Sequence, residues 1–148
     1  MFVFLLEHII LSEYEPRLEK IIGIYDSKER AVDQVKYYKS IPGFRDYLDG
    51  FVIKRFELFV QGIISTVSKV YLLQHEYSVT CNEEVFDIST DIGVFYSKED
   101  ANIVMSQLKN NIMYLNKSDG LYSDNCGFYI SEYRLNNNYW VEGFVSDN

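Results

Sequence analysis

The sequence contains few of the residues that mark secreted, redox-active or metal-binding proteins. Only two of its 148 residues are cysteines, Cys81 and Cys126, and only two are prolines. The apolar start that follows Met1 has no basic region before it and no small-residue cleavage site after it, which argues against a secretory signal peptide. We therefore expect a cytoplasmic protein with free thiols rather than a disulfide.

Sequence signatures of catalysis are also missing. There is no Gly-rich phosphate loop, no serine nucleophile elbow and no spaced cluster of Cys and His. The first apolar run ends at Glu7 and His8, so it is far too short to cross a bilayer. A net charge of −8 repels phosphate backbones and anionic lipids. These absences predict a protein that is not an enzyme, holds no cofactor or metal, and binds neither nucleic acid nor membranes.

An internal repeat is the most informative feature that is present. Four blocks return in the same order and with nearly the same spacing: residues 5–8 as 72–75, 22–29 as 92–99, 51–53 as 128–130, and 61–63 as 142–144. Residues 1–67 and 68–148 are therefore predicted to be tandem repeat units. The link between them holds neither Pro nor Gly, so we expect them to pack as one compact domain.

Each repeat is predicted to fold in the α+β class as β-β-α-β with a short additional strand. Alternating and doubly apolar runs mark the strands, and Ser27 and Ser97 are the expected helix N-caps. The first repeat has expected strands at residues 2–10, 20–25 and 51–59, with a helix ending at 41–43 and a short strand at 59–64. The second has strands at 70–77, 88–96 and 127–135, an acidic loop at 78–87, a helix to 111 and a short strand at 139–145.

The order of strands follows from the connections. A right-handed crossover through the helix makes the second and third strands parallel, and a tight hairpin makes the first antiparallel to both. The first strand is apolar on both sides and belongs in the centre of an antiparallel or mixed sheet. The second repeat, related by an approximate two-fold axis as in a fused homodimer, is expected to cover the remaining apolar face. Gly23 and Gly93 inside strands predict a bulge or a close backbone approach.

His8 and His75 are the polar residues that both repeats keep at the same strand position. Duplicated histidines near a two-fold axis suggest one ligand or metal bound between the repeats. Two ligands are too few for a typical zinc site, however, because such sites use three or four. The alternative is a structural histidine that hydrogen-bonds the following loop.

Charge and aromatic residues point to a protein-binding surface in the second repeat. Residues 1–67 carry a net charge of −1, whereas residues 68–148 carry −7. Aromatic rings among acids suit a protein interface, because the rings give desolvated anchors and the acids attract a basic partner. The predicted contact residues are Asp119, Tyr122, Asp124, Glu132, Tyr139, Trp140 and Glu142. The alternatives are that the acidity serves solubility and that Trp140 plugs the end of the core.

Several blocks of the second repeat resemble a small bacterial family of unknown function. They are the strings at residues 70–77, 92–99, 127–130 and 140–144, and the family is similar to single copies of this unit with an aromatic-acid-Gly-Phe end. The first repeat departs from this pattern, because Gln61 replaces the acid and no Trp is present. The resemblance implies the fold unit and brings no established activity.

The leading hypothesis is a non-enzymatic inhibitor of the immunity or antitoxin kind. Its acidic second repeat would occlude a basic toxin such as a nuclease, by analogy with small acidic immunity proteins. One alternative is a small-molecule or metal binding protein, or an enzyme, that uses a cleft around His8 and His75. Another is a phage-type inhibitor of a host defence factor. A monomer or a weak homodimer is expected.

Overall fold

The chain forms two compact units that do not follow the order of the sequence. The computed structural model describes residues 1–11, 18–58, 66–111 and 127–142. One unit consists of residues 1–57 together with 133–148, and the other of residues 58–132. The C-terminal end of the chain therefore belongs in space with its first part. Within the described ranges, no helix combines the length and apolarity that crossing a membrane requires.

The first unit holds a three-stranded antiparallel sheet and one helix. Its elements are β1 (Phe2–Ile10), β2 (Leu18–Tyr25), α1 (Lys28–Tyr38), a 3₁₀ turn (Leu48–Gly50) and β3 (Phe51–Glu57). β1 lies in the middle, antiparallel to β2 on one side and to β3 on the other. Leu5 and Leu6 point to opposite faces of the sheet and both are fully buried. The predicted central strand is confirmed.

The second unit repeats this plan. Its elements are β4 (Lys69–Cys81), β5 (Glu84–Phe95), α2 (Lys98–Lys109) and β6 (Gly127–Arg134), of which the last two residues count with the first unit. The strand order is β5-β4-β6, so β4 takes the central place that β1 has in the first sheet. Leu72 and Leu73 are fully buried, again on opposite faces. The predicted α+β class is confirmed, with antiparallel sheets.

A β-bulge lies at the same position in both sheets. The register of β1 against β2 shifts after Leu6, which pairs with Gly23. The register of β4 against β5 shifts after Leu73, which pairs with Gly93. A bulge bends its strand and increases the local twist, and glycine accommodates it without a side-chain clash. The prediction made from the two strand glycines is confirmed.

Both helices begin at the predicted caps. The hydroxyl of Ser27 accepts a hydrogen bond from the backbone N–H of Arg30 at 3.2 Å. That of Ser97 accepts one from the N–H of Asp100 at 3.1 Å. Each serine satisfies one of the amides that the first helical turn leaves unpaired.

Each helix packs its apolar stripe on the sheet of its own unit. Ala31 and Ala101 occupy the same place in the two helices and are fully buried, as predicted. The buried core of the first unit contains Leu6, Ile22, Tyr25, Ala31, Tyr38 and Phe44. That of the second contains Leu73, Phe95 and Ala101, with Val104 and Leu108 packed against it.

The predicted acidic loop at residues 78–87 is wrong. β4 and β5 continue through this region and meet in a two-residue turn at Asn82 and Glu83. The φ angles of these residues are 52° and 66°. Two consecutive positive φ values match the twist of a hairpin, and Asn adopts them more readily than most residues. The prediction of a loop depended on the acidic residues, whereas the residue that indicates a tight turn is Asn82.

The predicted ends of the chain elements also differ from the structure. Residues 139–142 are irregular rather than the start of a strand. The backbone N–H of Tyr139 pairs with the carbonyl of Ile22 on β2, in the first sheet. Residues 143–145 and the predicted counterpart at 59–64 lie outside the described residues. α1 ends at Tyr38 and α2 at Lys109, both before the predicted boundaries.

Candidate functional site

His8 lies in the centre of the first sheet. It pairs with Lys20 on β2 and with Phe51 on β3, and its side chain is fully buried. The rings of Phe44 and Phe51 contact the imidazole, with centroid distances of 4.9 and 4.7 Å. Aromatic rings on two sides leave the imidazole in surroundings that solvate a charge poorly.

The Nε2 atom of His8 binds the main chain. It lies 2.8 Å from the carbonyl oxygen of Tyr47, and since a carbonyl only accepts, Nε2 carries the proton. The N–H of Gly50 donates to the same carbonyl at 3.1 Å. Burial lowers the pKa of His8; the hydrogen bond to Tyr47 raises it and the charge of Lys20 lowers it further. His8 is therefore a neutral group that fastens the loop before β3 to the sheet.

His75 occupies the corresponding position in the second unit. Its side chain is 1% exposed, and its ring contacts Phe128 at 4.7 Å and Tyr77 at 5.7 Å. His8 and His75 belong to different compact units, and each ring packs within its own unit. In the part of the chain that the structure describes, no three His, Cys, Asp or Glu side chains form a group that could hold a metal ion.

A shallow recess lies beside the loop that His8 fastens. Its volume is about 360 Å³. The lining residues are Ile9, Ile10, Leu11, Asp46, Tyr47, Leu48, Asp49 and Gly50. Gly50 lies tightly against β1, because a Cβ there would lie 2.8 Å from His8 Nε2 and 2.5 Å from the carbonyl oxygen of Ile9. The lining of the recess combines apolar side chains with the carboxylates of Asp46 and Asp49.

The residues predicted to bind a partner are distributed over different parts of the molecule. Asp119, Tyr122 and Asp124 lie outside the described residues. Glu132 is on β6, where its carboxylate accepts a hydrogen bond from Tyr71 Oη at 3.2 Å and lies 3.8 Å from Lys69 Nζ. The carboxylate is half-exposed.

Tyr139, Trp140 and Glu142 belong instead to the first unit. They form part of a segment that we call the C-terminal strip, residues 136–142. The N–H of Asn136 donates to the carbonyl of Ile24, and the N–H of Tyr139 to that of Ile22, both at 2.8 Å. The strip therefore lies along the free edge of β2 and pairs with it at two alternate residues.

Side chains of the strip bind the first unit as well. Asn136 accepts from the N–H of Asp26 at 3.0 Å and donates to its carboxylate at 3.1 Å. Asn138 accepts a hydrogen bond from Tyr25 Oη and donates to Gln34 Oε1. These contacts use nearly every polar atom of the two amides, so the strip is held by its sequence as well as by its backbone.

Trp140 is held from two directions. Its carbonyl accepts a hydrogen bond from Tyr38 Oη at 2.6 Å, and Lys20 Nζ lies 4.2 Å from the centre of its ring. Burial lowers the pKa of Lys20, and the charge of Glu142 raises it to a smaller extent. Trp140 is still 40% exposed and Val141 is 90% exposed.

Sequence reasoning missed one exposed surface, at the end of the β4–β5 hairpin. We call it the acidic hairpin tip; it consists of Glu83, Glu84, Val85 and Asp87, and all four side chains are exposed. Val85 is 62% exposed although it is apolar. Ser78 Oγ donates to Asp87 Oδ1 at 2.5 Å across the two strands. The turn signal at Asn82, followed by acids and Val on one hairpin, could have revealed this tip.

Comparison with known proteins identifies the family but no activity. The family model for a domain of unknown function, DUF7336, matches residues 1–62 and again residues 68–144. The chain therefore belongs to this family and carries two copies of its domain in tandem, which confirms the resemblance. No curated protein and no solved structure matches the chain.

Proposed function

We propose that this two-copy member of the DUF7336 family is a non-enzymatic protein inhibitor that binds a basic partner. The observation that carries the proposal is the acidic hairpin tip, which presents three carboxylates and one apolar side chain to solvent. A toxin that acts on nucleic acid is the partner class that fits best, because a protein that binds phosphates is basic at its active site. Inhibition would consist of covering that site, as immunity proteins do.

The geometry of the tip suits binding without rearrangement. Its residues lie on paired strands, from Ser78 opposite Asp87 to Cys81 opposite Glu84, joined by a two-residue turn. Such a short connection leaves few backbone conformations to lose when a partner binds. No ion pair between the tip and a described Lys or Arg competes with a partner for its carboxylates.

The distribution of charge along the sequence also supports a basic partner. Residues 68–148 carry a net charge of −7, against −1 for residues 1–67. An acidic surface attracts a basic partner over several ångströms and raises the rate of association. The exposed Val85 beside the carboxylates offers an apolar contact that excludes water from the charge pairs.

The test uses the product of a gene next to the one that encodes this chain. That product is purified with and without the chain, and its association rate is measured at low and high salt. The variant Glu83→Lys/Glu84→Lys is expected to slow association about ten-fold or more at low salt. The matched control is Asp33→Lys/Glu57→Lys, which makes the same charge change at two exposed positions of the first unit.

The proposal fails if no neighbouring product binds. It also fails if the tip variant and the control slow association equally, because binding would then depend on net charge alone. If the bound product is a host defence factor rather than a toxin, the chain is a phage-type inhibitor. The acidic hairpin tip would then bind that factor. An approximate two-fold relation between the repeats and a cytoplasmic location stay predictions.

The recess beside His8 favours a second candidate function, binding of a small molecule. Its volume is within the range of ligand pockets, at the lower end. Asp46 and Asp49 suit a cationic ligand with an apolar body. Native mass spectrometry of the purified chain tests this candidate, and a ligand that is retained by the wild type and lost in Asp49→Asn would favour it. Buried His8 supports the loop in this scheme and does not contact the ligand.

A further inference from the structure

The C-terminal strip is connected to the first unit in an unusual way. The chain reaches it from β6, which is an edge strand of the second sheet. The strip then hydrogen-bonds to Ile22 and Ile24, more than 100 residues earlier in the sequence. The first residue of the strip, Asn136, lies in a turn and has a φ of 64°, in the left-handed region that marks a sharp change of chain direction. The strip thus fills the place of an added strand although its own domain copy is the second one.

The β2 edge is shaped for this segment. The carbonyl of Asn137 occupies the position that a Cβ on residue 23 would take, so only glycine leaves room for it. Asp26 hydrogen-bonds the side-chain amide of Asn136. Tyr25 and Gln34 hydrogen-bond that of Asn138. Backbone pairing together with side-chain readout is how an exposed sheet edge recognises an extended peptide.

The strip is also a segment that can leave. Tyr139 is 45% exposed, Trp140 40% and Val141 90%, so none of these three side chains belongs to the buried core of the first unit. Among the described residues, the strip's contacts with residues 20–38 are hydrogen bonds and one ammonium–ring contact, which water replaces more readily than it solvates a buried core.

We infer that the β2 edge of the first unit is an acceptor site that the C-terminal strip of a second copy of this chain can fill, so that two chains associate by exchanging strips. The second copy carries an identical strip, and therefore every contact of the closed form is reproduced between chains. Exchange of an identical element is a low-cost route to dimers because it requires no new complementarity. The tethered strip of the same chain competes, with an effective concentration on the order of millimolar for a short connection.

The test pairs two full-length variants. A donor chain carries Gly23→Ala, which blocks its acceptor edge and leaves its strip intact. An acceptor chain carries Asn136→Ala/Asn138→Ala, which weakens its own strip and leaves its edge intact. The two are labelled differently, mixed at about 1 mM, the order of the tethered concentration, and separated by size-exclusion chromatography with light scattering.

Heterodimer is expected in this mixture at about ten-fold the level found when the donor carries Gly93→Ala instead. Gly93 is the matched control, because it holds the same bulge position in the second sheet, and among the described residues a Cβ there would meet only the ring of Phe95, at 3.3 Å. The inference is overturned if the mixture contains no heterodimer, or if donor chains alone form as much dimer as the mixture.

A second measurement covers the case in which Gly23→Ala does not fold. A fluorescent peptide of residues 133–142 is titrated into the acceptor chain and followed by anisotropy. Saturable binding that a scrambled peptide does not show supports the acceptor site. Equal binding of the two peptides, or no binding of either, overturns it.

Discussion

The two repeats share a glycine at each bulge, but the two glycines have different neighbours. A methyl group added at Gly23 would overlap the carbonyl of Asn137 and lie 2.9 Å from Tyr25 Oη, whereas one added at Gly93 would lie 3.3 Å from the ring of Phe95. Because the bulge is common to both, the glycine serves the sheet in both. Among the described residues, the closest atom at Gly23 belongs to the strip, whereas the closest at Gly93 belongs to its own sheet. The repeated sequence thus specifies the shared fold, while the closest described contacts of the two glycines differ.

A second pair of glycines should give the largest difference between the units. Gly50→Ala would place a Cβ 2.5 Å from the carbonyl of Ile9 and 2.8 Å from His8 Nε2, while Gly127→Ala would place one 3.5 Å from Tyr129, its nearest neighbour among the described residues. We expect the free energy of unfolding to fall by about 3 kcal/mol for Gly50→Ala, because backbone must move. For Gly127→Ala the change should stay within about 1 kcal/mol. Urea denaturation of both variants measures the difference.

Equal losses in these two variants would contradict the view that the loop of residues 44–50 closes tightly onto β1. Circular dichroism before denaturation serves as the control for folding. A Gly50→Ala chain that is unchanged in stability would place the crowding at Gly50 in doubt and, with it, the fastening role of His8.

Much of the fold could be predicted from the sequence because its determinants are local and appear twice. The doubly apolar run of β1, the serine before each helix and the glycine at each bulge report backbone geometry directly. The strand order followed from the crossover rule. A fold prediction that rests on a pattern present in both repeats is better supported than one that rests on a single repeat.

The surfaces could not be predicted in this way, because they depend on contacts between residues far apart in the chain. Nothing near Trp140 in the sequence indicates that Tyr38 and Lys20 hold it. The hairpin tip is hard to predict for a different reason: its acids are typical of a loop, and Asn82 is the residue that indicates a tight turn. Both histidines lie on the central strands, and His8 Nε2 hydrogen-bonds the carbonyl of Tyr47 in the loop before β3.

A buried ion pair distinguishes the two central strands. In the first unit Lys54 Nζ lies 2.5 Å from Glu7 Oε1, with the Glu7 side chain 1% exposed and that of Lys54 36% exposed. The repeat places Gln74 and Ser131 at these positions in the second unit. Gln74 is uncharged and needs no cation, and its amide donates to Asp91 at 2.8 Å. The two copies thus satisfy the same strand position with different chemistry.

Lys54→Ser should lower the free energy of unfolding by about 2 kcal/mol, since it removes the cation from a buried carboxylate. This value is below that of a fully buried pair because water reaches Lys54 and screens the charge. The double variant Glu7→Gln/Lys54→Ser, which copies the second repeat, should lose about 1 kcal/mol less than Lys54→Ser. A double-mutant cycle by urea denaturation measures this coupling, and strict additivity would show that the ion pair contributes nothing.

The pH dependence of stability should report His8 with a smaller effect. Burial lowers the pKa of His8 below its ordinary value of 6.5 in the folded chain. Below pH 6.5 the unfolded chain therefore binds a proton that the folded chain does not, and stability falls as pH falls. The loss begins near pH 6.5 and levels off once the folded-state pKa is passed.

Thermal denaturation between pH 7.5 and 5 measures this effect in the wild type and in His8→Gln. The variant removes the imidazole of the first unit and should flatten the part of the profile that His8 contributes. His75→Gln is the matched variant in the second unit. A profile that is identical in the wild type and in His8→Gln would mean that the buried imidazole titrates as it does in the unfolded chain.

The helix caps should give the smallest effect and no difference between the units. Ser27→Ala and Ser97→Ala each remove one hydrogen bond, of 3.2 and 3.1 Å, from the first turn of a helix. Each should lower stability by about 1 kcal/mol, and hydrogen exchange of the α1 and α2 amides localises the two losses. Ser27→Asp should retain most of the stability, because Asp caps as well as Ser.

If the stability losses of the two cap variants differed by more than about 0.5 kcal/mol, the units would respond unequally to identical changes. The glycine and ion-pair differences would then reflect the general sensitivity of each unit rather than its local contacts, so agreement at the caps is what allows the larger contrasts to be interpreted.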